Sequence, residues 1–268
     1  MVQTAFRELP PLPDATMKLL GAVNDERAGI GVLVSILRMD AALTAEVLRR
    51  ANSPMYGLMA KVSSLGQAVM LLGVAEIRRM AMMVSLDKHF GSGQRSIRRL
   101  WRHAFARALV SERIAAATGL SADSAYSAGL LADIGIYGLM VSFPDVERRL
   151  IEESNGGHAL LEAEEREYGV SHCQAGGWLA RNWGLPEAII AAVLGHHEIP
   201  GAGSLAAHVF WADMAVTCLA FGFTGNQLTT ADLDGYARLR DEFAPVAKAL
   251  PADAEELFLW LVERVPAS

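Results

Sequence analysis

Six histidine and aspartate side chains beyond residue 92 have the chemistry of metal ligands. Imidazole and carboxylate groups suit divalent ions of the zinc, iron and manganese range, and a helical bundle can direct such groups inward from successive helices. The sequence carries one or two of them on each of several helical segments, as His103, Asp133, His172, His196, His197 and Asp213. A second interpretation is a polar cluster inside the bundle, in which carboxylates hold the imidazoles by hydrogen bonds.

The paired histidines need not face one site. Adjacent side chains on a helix point about 100 degrees apart, so His196 and His197 are expected to point in different directions. Together with His172 they could equally be ordinary surface or interface histidines. The spacing alone leaves both interpretations open.

The elements that must position these residues are helices. Apolar residues recur at helical spacing along the chain, as at Leu43, Val47 and Ala51, and no long run alternates as a strand would. Ser171 with Gln174 has the spacing of a capping box, which marks a helix start. The pattern predicts an all-α fold.

One segment has the composition of a linker. Gly91-Ser92-Gly93-Gln94 is polar and flexible and lies between two long periodic segments. We therefore predict an N-terminal helical lobe over residues 1–91 and a helical bundle with a C-terminal extension over 92–268. The 268 residues are enough to bury a sizeable core. The role of residues 224–268 is left open by the sequence.

Composition argues against a membrane protein. The longest weakly charged stretch, Leu205 to Phe223, contains His208 and Asp213. An aspartate at the centre of a membrane helix costs roughly 2.5 to 3.5 kcal/mol, so this stretch is predicted to be a buried core helix. Met1 to Pro13 lacks a basic segment followed by an apolar run, which predicts no secretory signal and a cytoplasmic location.

Charge and cysteine content narrow the classes of partner. The net charge of −6 and pI near 5.7 disfavour a general nucleic-acid coat. The segment Arg95–His103 is nevertheless basic with an interleaved Trp101, so nucleic-acid binding through a helix over 95–113 stays a third alternative, although such a run is usually a solvated helix face. The two cysteines, Cys173 and Cys218, lack metal-type spacing and are predicted to be reduced packing residues.

Several short motifs, in order along the chain, resemble known families. The run Gly129–Gly135, GLLADIG, resembles the LLHDIG motif of the HD metal-dependent phosphohydrolase superfamily. Four further motifs are similar to the HDOD family: LPPLP at 9–13, LRRANS at 48–53 with Tyr56-Gly57, SSLGQA at 63–68 running into LLG at 71–73, and GLPE at 184–187 before the paired histidines. The resemblance spans about Leu9 to Phe221.

The resemblance implies a helical N-terminal lobe packed on an HD-like bundle. HDOD proteins are regarded as regulatory relatives of HD hydrolases, often joined to signalling domains and generally without demonstrated catalysis. The HD site would correspond to His103, the doublet at 132–133 and Asp213. In the related HD-GYP phosphodiesterases, residues matching His172, His196 and His197 join a second metal. If this chain binds a metal, the predicted ligands are His103, Asp133, His196 and Asp213.

The HD pattern is broken at two positions. Ala132 stands where the doublet has histidine, and a methyl group has no lone pair to give a metal. Losing even a group that only orients a ligand costs about 10- to 100-fold in affinity, so losing a ligand itself should cost at least that. Ile136 stands where the motif has lysine, which removes a cation that could face a phosphate.

We therefore predict a non-catalytic bacterial signal-transduction module that acts through protein–protein contacts, with a small ligand in the altered HD cleft as part of the hypothesis. No catalytic residue and no cofactor are expected, and a divalent metal is only weakly supported. The six residues named first are predicted to line the cleft. The alternative is a metal-dependent phosphohydrolase or cyclic-dinucleotide phosphodiesterase that tolerates Ala132 by using neighbouring histidines.

Overall fold

The computed structural model describes residues 2–9, 30–38, 41–56, 61–77, 79–80, 95–154, 157–198, 204–219, 221 and 230–265. Over these residues the chain is helical and contains no strand, which confirms the all-α prediction. Two compact units are formed, one by Pro10–Gly91 and one by Met1–Leu9 together with Ser92–Ser268. The predicted linker, residues 91–94, lies outside the described residues.

The unit of residues 10–91 is a small helical core. Among its described residues are the helices α2 (Ile30–Arg38), α3 (Ala41–Ala51) and α4 (Leu65–Leu72), with a short 3₁₀ turn at Pro54–Tyr56 and further helical residues at 74–77. Leucine, valine and isoleucine side chains at helical spacing are fully buried between them, among them Leu33, Leu37, Leu43, Val47 and Ile77. The amide of Asn52 both accepts from and donates to the backbone of Val62, at 2.8 Å each, and so ties the turn after α3 to the segment before α4.

The larger unit contains the helices that carry the candidate site. In chain order these are α1 (Val2–Glu8), α5 (Arg95–Thr118), α6 (Ala122–Leu131), α7 (Ile134–Ser142), α8 (Pro144–Ser154), α9 (Gly157–Tyr168), α10 (His172–Asn182), α11 (Glu187–Gly195), α12 (Leu205–Cys218), α13 (Thr230–Glu242), α14 (Ala244–Ala249) and α15 (Ala254–Arg264). Ser171 and Gln174 form the predicted capping box at the start of α10.

Helix α1 belongs to the larger unit, whereas the sequence placed residues 1–91 in one lobe. Val2 and Phe6 lie four residues apart, so they share one face of α1, and both are buried. The Phe6 ring lies where a side chain on Gly138 of α7 would be, 2.6 Å from the position of its Cβ. The absence of a side chain at 138 is what allows this aromatic contact.

Helices α6 and α7 form the apolar centre of the larger unit. Residues Ala122–Ser142 are long and apolar enough to cross a membrane by composition, with a mean hydropathy of 1.3, but 89% of that stretch is buried inside the protein. The stretch is interrupted by a turn at Ala132-Asp133. It therefore has the properties of a buried core segment made of two successive helices. Helix α12, which lies within the weakly charged stretch that begins at Leu205, is likewise mostly buried.

A close backbone approach brings α7 against the start of α10. A Cβ on Gly135 would lie 1.9 Å from the carbonyl oxygen of His172, and one on Gly176 would lie 3.0 Å from the backbone nitrogen of Gly135. Only glycine allows backbones to meet at this distance. The contact places the N-terminus of α10 beside Asp133, which directly precedes α7.

Candidate functional site: a buried arginine and three histidines around Asp133

Arg107, a residue that the sequence analysis did not select, lies at the centre of the site. It follows His103 by one helical turn on α5 and is fully buried. Its Nη1 donates to Asp133 Oδ2 at 2.7 Å and to Asp213 Oδ1 at 2.9 Å, and its Nε donates to the carbonyl of Gly129 at 2.8 Å. A fixed cation therefore joins the two carboxylates of the predicted cleft.

The two carboxylates are held in the ionised form. Burial by itself would raise the pKa of Asp133, but Arg107 and then His196 outweigh it and hold that pKa well below its usual range. For Asp213, burial is outweighed by the hydrogen bond with His103 and by Arg107, which together lower its pKa. His103 Nε2 lies 3.0 Å from Asp213 Oδ1.

His196 has an acceptor at each ring nitrogen. Its Nδ1 lies 2.8 Å from the carbonyl of Val193, and its Nε2 lies 3.0 Å from Asp133 Oδ1. A carbonyl and a carboxylate accept only, so this geometry favours the imidazolium. Burial opposes the charge, but Cys173 and the hydrogen bond to Asp133 raise the pKa of His196 to about 9.

His172 is clamped by a buried carboxylate. Its backbone nitrogen donates to Glu164 Oε2 at 2.6 Å, and its Nδ1 lies 2.7 Å from the same oxygen. The other ring nitrogen, Nε2, therefore points into the site, 3.2 Å from His197 Nε2 and 3.7 Å from Asp133 Oδ1. Glu164 sets both the position of this ring and the nitrogen that it presents.

Cys173 and His197 complete the histidine side of the site. Cys173 Sγ lies 3.8 Å from His196 Nδ1. Burial favours the thiol, but His196 and His172 outweigh it and lower the pKa of Cys173 to about 6. Burial and the charges of His196 and His172 lower the pKa of His197 to about 3, so its imidazole is neutral. The ring centroids of His196 and His197 lie 4.2 Å apart, and both rings face the site.

Comparison with known proteins identifies the family. The profile of the HDOD domain matches residues 9–199, most of the chain. The chain belongs to the HDOD family. A curated uncharacterized protein from Treponema pallidum is 26% identical over 245 residues, which cover 88% of this chain and 47% of that protein. The chain thus spans about half the length of this relative.

Solved structures of HDOD proteins and their relatives have the same fold. An HDOD domain protein of unknown function from Geobacter sulfurreducens matches with a TM-score of 0.74 at 29% identity, covering 97% of this chain and 93% of that one. A candidate signal transduction protein from Marinobacter aquaeolei VT8 matches with a TM-score of 0.71 at 23% identity, covering 96% of this chain and 57% of that one. A candidate phosphohydrolase from Shewanella amazonensis SB2B matches with a TM-score of 0.68 at 20% identity, covering 98% of this chain and 93% of that one. The last two similarities establish the fold alone.

The structure brings all six predicted cleft residues of this HDOD protein together. Contacts of 3.7 Å or less connect all six residues into one network, in which Arg107 links the two aspartates. Asp133 divides them into two halves. One half is His103, Arg107 and Asp213, and the other is His172, His196 and His197.

The residues present do not fit the metal that the HD resemblance implies. Arg107 stands between Asp133 and Asp213, so the predicted ligand set His103, Asp133, His196 and Asp213 does not converge on one point. Ala132 is fully buried in an apolar cluster with Ala128, Ala192 and Val209. Its methyl group packs there and offers no ligand. Ile136 is buried as well.

Sequence reasoning missed Arg107, Glu164 and the proximity of Cys173 to the site. The position of Arg107 four residues after His103 puts both on one face of α5, which was a usable signal. Glu164 lies on another helix from His172 and had no such signal. Cys173 and Cys218 are not joined in a disulfide, and Cys173 contacts His196, so it is not merely a packing residue.

The interleaved tryptophan of the basic segment is not available for base stacking. Trp101 is buried, and its ring stacks on Tyr137 with centroids 4.3 Å apart. Arg102 lies over the ring of Phe221 at 5.4 Å. The side chains of residues 95–98 lie outside the described part of the protein.

Proposed function

We propose that this chain is a non-catalytic signal-transduction module of the HDOD family that acts through contacts with other proteins. The observation that carries the proposal is Arg107, fully buried and bonded to both Asp133 and Asp213. These are the carboxylates that correspond to the HD site. Their charges are already compensated by a side chain of the protein itself.

The physical argument concerns what a hydrolytic metal would need. A divalent ion at the two carboxylates would have to displace a guanidinium that makes three hydrogen bonds through Nε and Nη1, or be repelled by it at short range. Removing one partner of a buried ion pair is costly, about 3–5 kcal/mol. Ala132 offers no compensating ligand. The site is therefore poorly suited to activating a water molecule for phosphodiester hydrolysis.

The names of two proteins with the same fold correspond to the two alternatives for this chain. One similar structure is a candidate signal transduction protein, while another is a candidate phosphohydrolase. Arg107 and Ala132 favour the first for this chain.

The direct test is hydrolysis of a generic phosphodiester, bis(p-nitrophenyl) phosphate, with Mn²⁺ or Fe²⁺ added. We expect no turnover above that of the metal in buffer. Turnover that is abolished by Asp133→Ala would refute the proposal and establish the phosphohydrolase alternative.

A second measurement tests the partner contacts. Proteins captured by the tagged chain from its native host are identified by mass spectrometry, and their binding is measured with Arg107→Met/Asp133→Asn/Asp213→Asn. This triple variant removes the guanidinium and both carboxylates together, so neither aspartate is left without its guanidinium partner. We expect a specific partner whose affinity changes less than about 10-fold, because contacts between proteins do not need the chemistry of the HD carboxylates. The absence of any saturable partner would contradict the proposal.

A further inference from the structure

We propose that His172, Cys173, His196 and His197 form a binding site for a divalent metal of the zinc class, with three nitrogen donors and one sulfur donor. The site lies on the opposite side of Asp133 from the half of the cleft that Arg107 fills. It does not depend on the proposed signalling function. Three of its donors match the residues that join a second metal in the HD-GYP phosphodiesterases, and Cys173 is the donor that this chain adds.

The convergence of the four side chains carries the proposal. One ligand atom from each of them lies within 4.8 Å of all the others, and they are the one such group among the described residues. Zinc sites of this kind are tetrahedral, with Zn–N near 2.0–2.1 Å and Zn–S near 2.3 Å, which separates the donor atoms of a site with one sulfur by about 3.3–3.6 Å. Two observed separations, 3.2 Å for His172 Nε2 to His197 Nε2 and 3.8 Å for Cys173 Sγ to His196 Nδ1, are already near that range.

The surroundings of the ligands resemble those of a built metal site. Metal-binding histidines commonly give their second ring nitrogen to a carboxylate, which fixes the ring and increases its basicity. Glu164 does this for His172, at 2.7 Å, and also holds its backbone nitrogen. Asp133 contacts His196 Nε2 at 3.0 Å, so His196 would bind the ion through Nδ1, which would lose its proton and its hydrogen bond to the carbonyl of Val193. His172, Cys173 and His196 are all buried, so an ion would be shielded from water.

The donor types select the class of ion. Thiolate and imidazole are preferred by Zn²⁺ and its analogue Co²⁺, whereas Mg²⁺ and Ca²⁺ prefer oxygen. Four protein ligands leave no open position for a reacting water, as in structural zinc sites. The ion would link the start of α10 to the end of α11. It would thus fix the two helices that border the cleft without supplying catalysis.

The test uses the whole chain, stripped of metal with a chelator and titrated with Co²⁺. We expect one equivalent to bind, with the charge-transfer absorption of a cobalt–thiolate bond and the intense visible bands of tetrahedral Co²⁺, and we expect Zn²⁺ to displace it. Cys173→Ser should remove the charge-transfer band and weaken Zn²⁺ binding by at least about 10- to 100-fold. Cys218→Ser is the matched control and should leave both unchanged.

Two further readouts separate a ligand from a residue that only supports the fold. Zinc should protect Cys173, but not Cys218, from alkylation in the unaltered protein. Glu164→Gln should weaken zinc binding by about 10- to 100-fold and keep the cobalt–thiolate band, because it acts through His172. A missing charge-transfer band in the unaltered protein, or one that survives Cys173→Ser, would overturn the site. Neither result bears on hydrolysis, so failure of the proposed function is detected separately by the phosphodiester assay.

Discussion

Arg107→Met is the sharpest test of how this site is held together. The change keeps much of the side-chain volume but removes the guanidinium that bonds to Asp133 and Asp213. At an effective dielectric constant of about 20, charges 4 Å apart attract by about 4 kcal/mol per pair. Breaking a buried pair from one side typically costs about 3–5 kcal/mol. We therefore expect the free energy of unfolding to fall by about 3–5 kcal/mol at pH 7.

The pH dependence distinguishes charge from packing. In the native protein Arg107 depresses the pKa of both aspartates, so its contribution is present at neutral pH and is lost as pH falls through those lowered values. In the variant the same carboxylates lack the cation, and burial raises their pKa. They then take up protons as the pH falls, so the destabilisation should be smaller at pH 5 than at pH 7.

Urea unfolding followed by tryptophan fluorescence is the appropriate assay. All five tryptophans lie beyond residue 92, so the signal reports on the larger unit. The matched control is Arg107→Met/Asp133→Asn/Asp213→Asn, which should recover at least about 2 kcal/mol of the loss because no aspartate carboxylate is left without its guanidinium partner. A loss below about 1 kcal/mol, a loss equal at both pH values, or a triple variant as unstable as the single one would refute the reasoning.

Two further predictions concern groups around the site. Burial and the nearby Glu164 raise the pKa of Glu147 from 4.5 to about 8, so native stability should fall as pH rises across that window. As the pH rises from 5 to 8, the free energy of unfolding of Glu147→Gln, measured by urea titration, should increase relative to that of the native protein by about 1–3 kcal/mol. A difference that does not change with pH would contradict this. Gly135→Ala should lower the free energy of unfolding by about 3 kcal/mol or more, because its Cβ would lie 1.9 Å from a backbone oxygen. Gly195→Ala is the control: its Cβ would meet nothing within 4 Å, so the free energy of unfolding should change by less than about 1 kcal/mol. Equal effects of the two glycine changes, measured by the same fluorescence assay, would show that the approach of α7 to α10 is not tight.

The sequence by itself determined the fold class, the family and most of the site. Helical spacing and capping pairs such as Ser171 with Gln174 depend on neighbours within one turn, and a local pattern can encode them. The order of the motifs predicted the HDOD resemblance, which the match over residues 9–199 confirms. The six candidate residues could be selected because imidazole and carboxylate chemistry is visible in the residue type.

Only the tertiary structure decided what those residues do to one another. Arg107 meets carboxylates that lie 26 and 106 residues away along the chain, and no local pattern specifies which helices pack together. No local pattern specifies the contact of Glu164 with His172 either. Nor does one specify that Phe6 of α1 packs against α7 and not against the helices that follow α1 in the sequence. Ala132 looked like one lost ligand in the sequence. In the folded protein its methyl group fills an apolar cluster, while the cation between the HD carboxylates is a side chain of the protein.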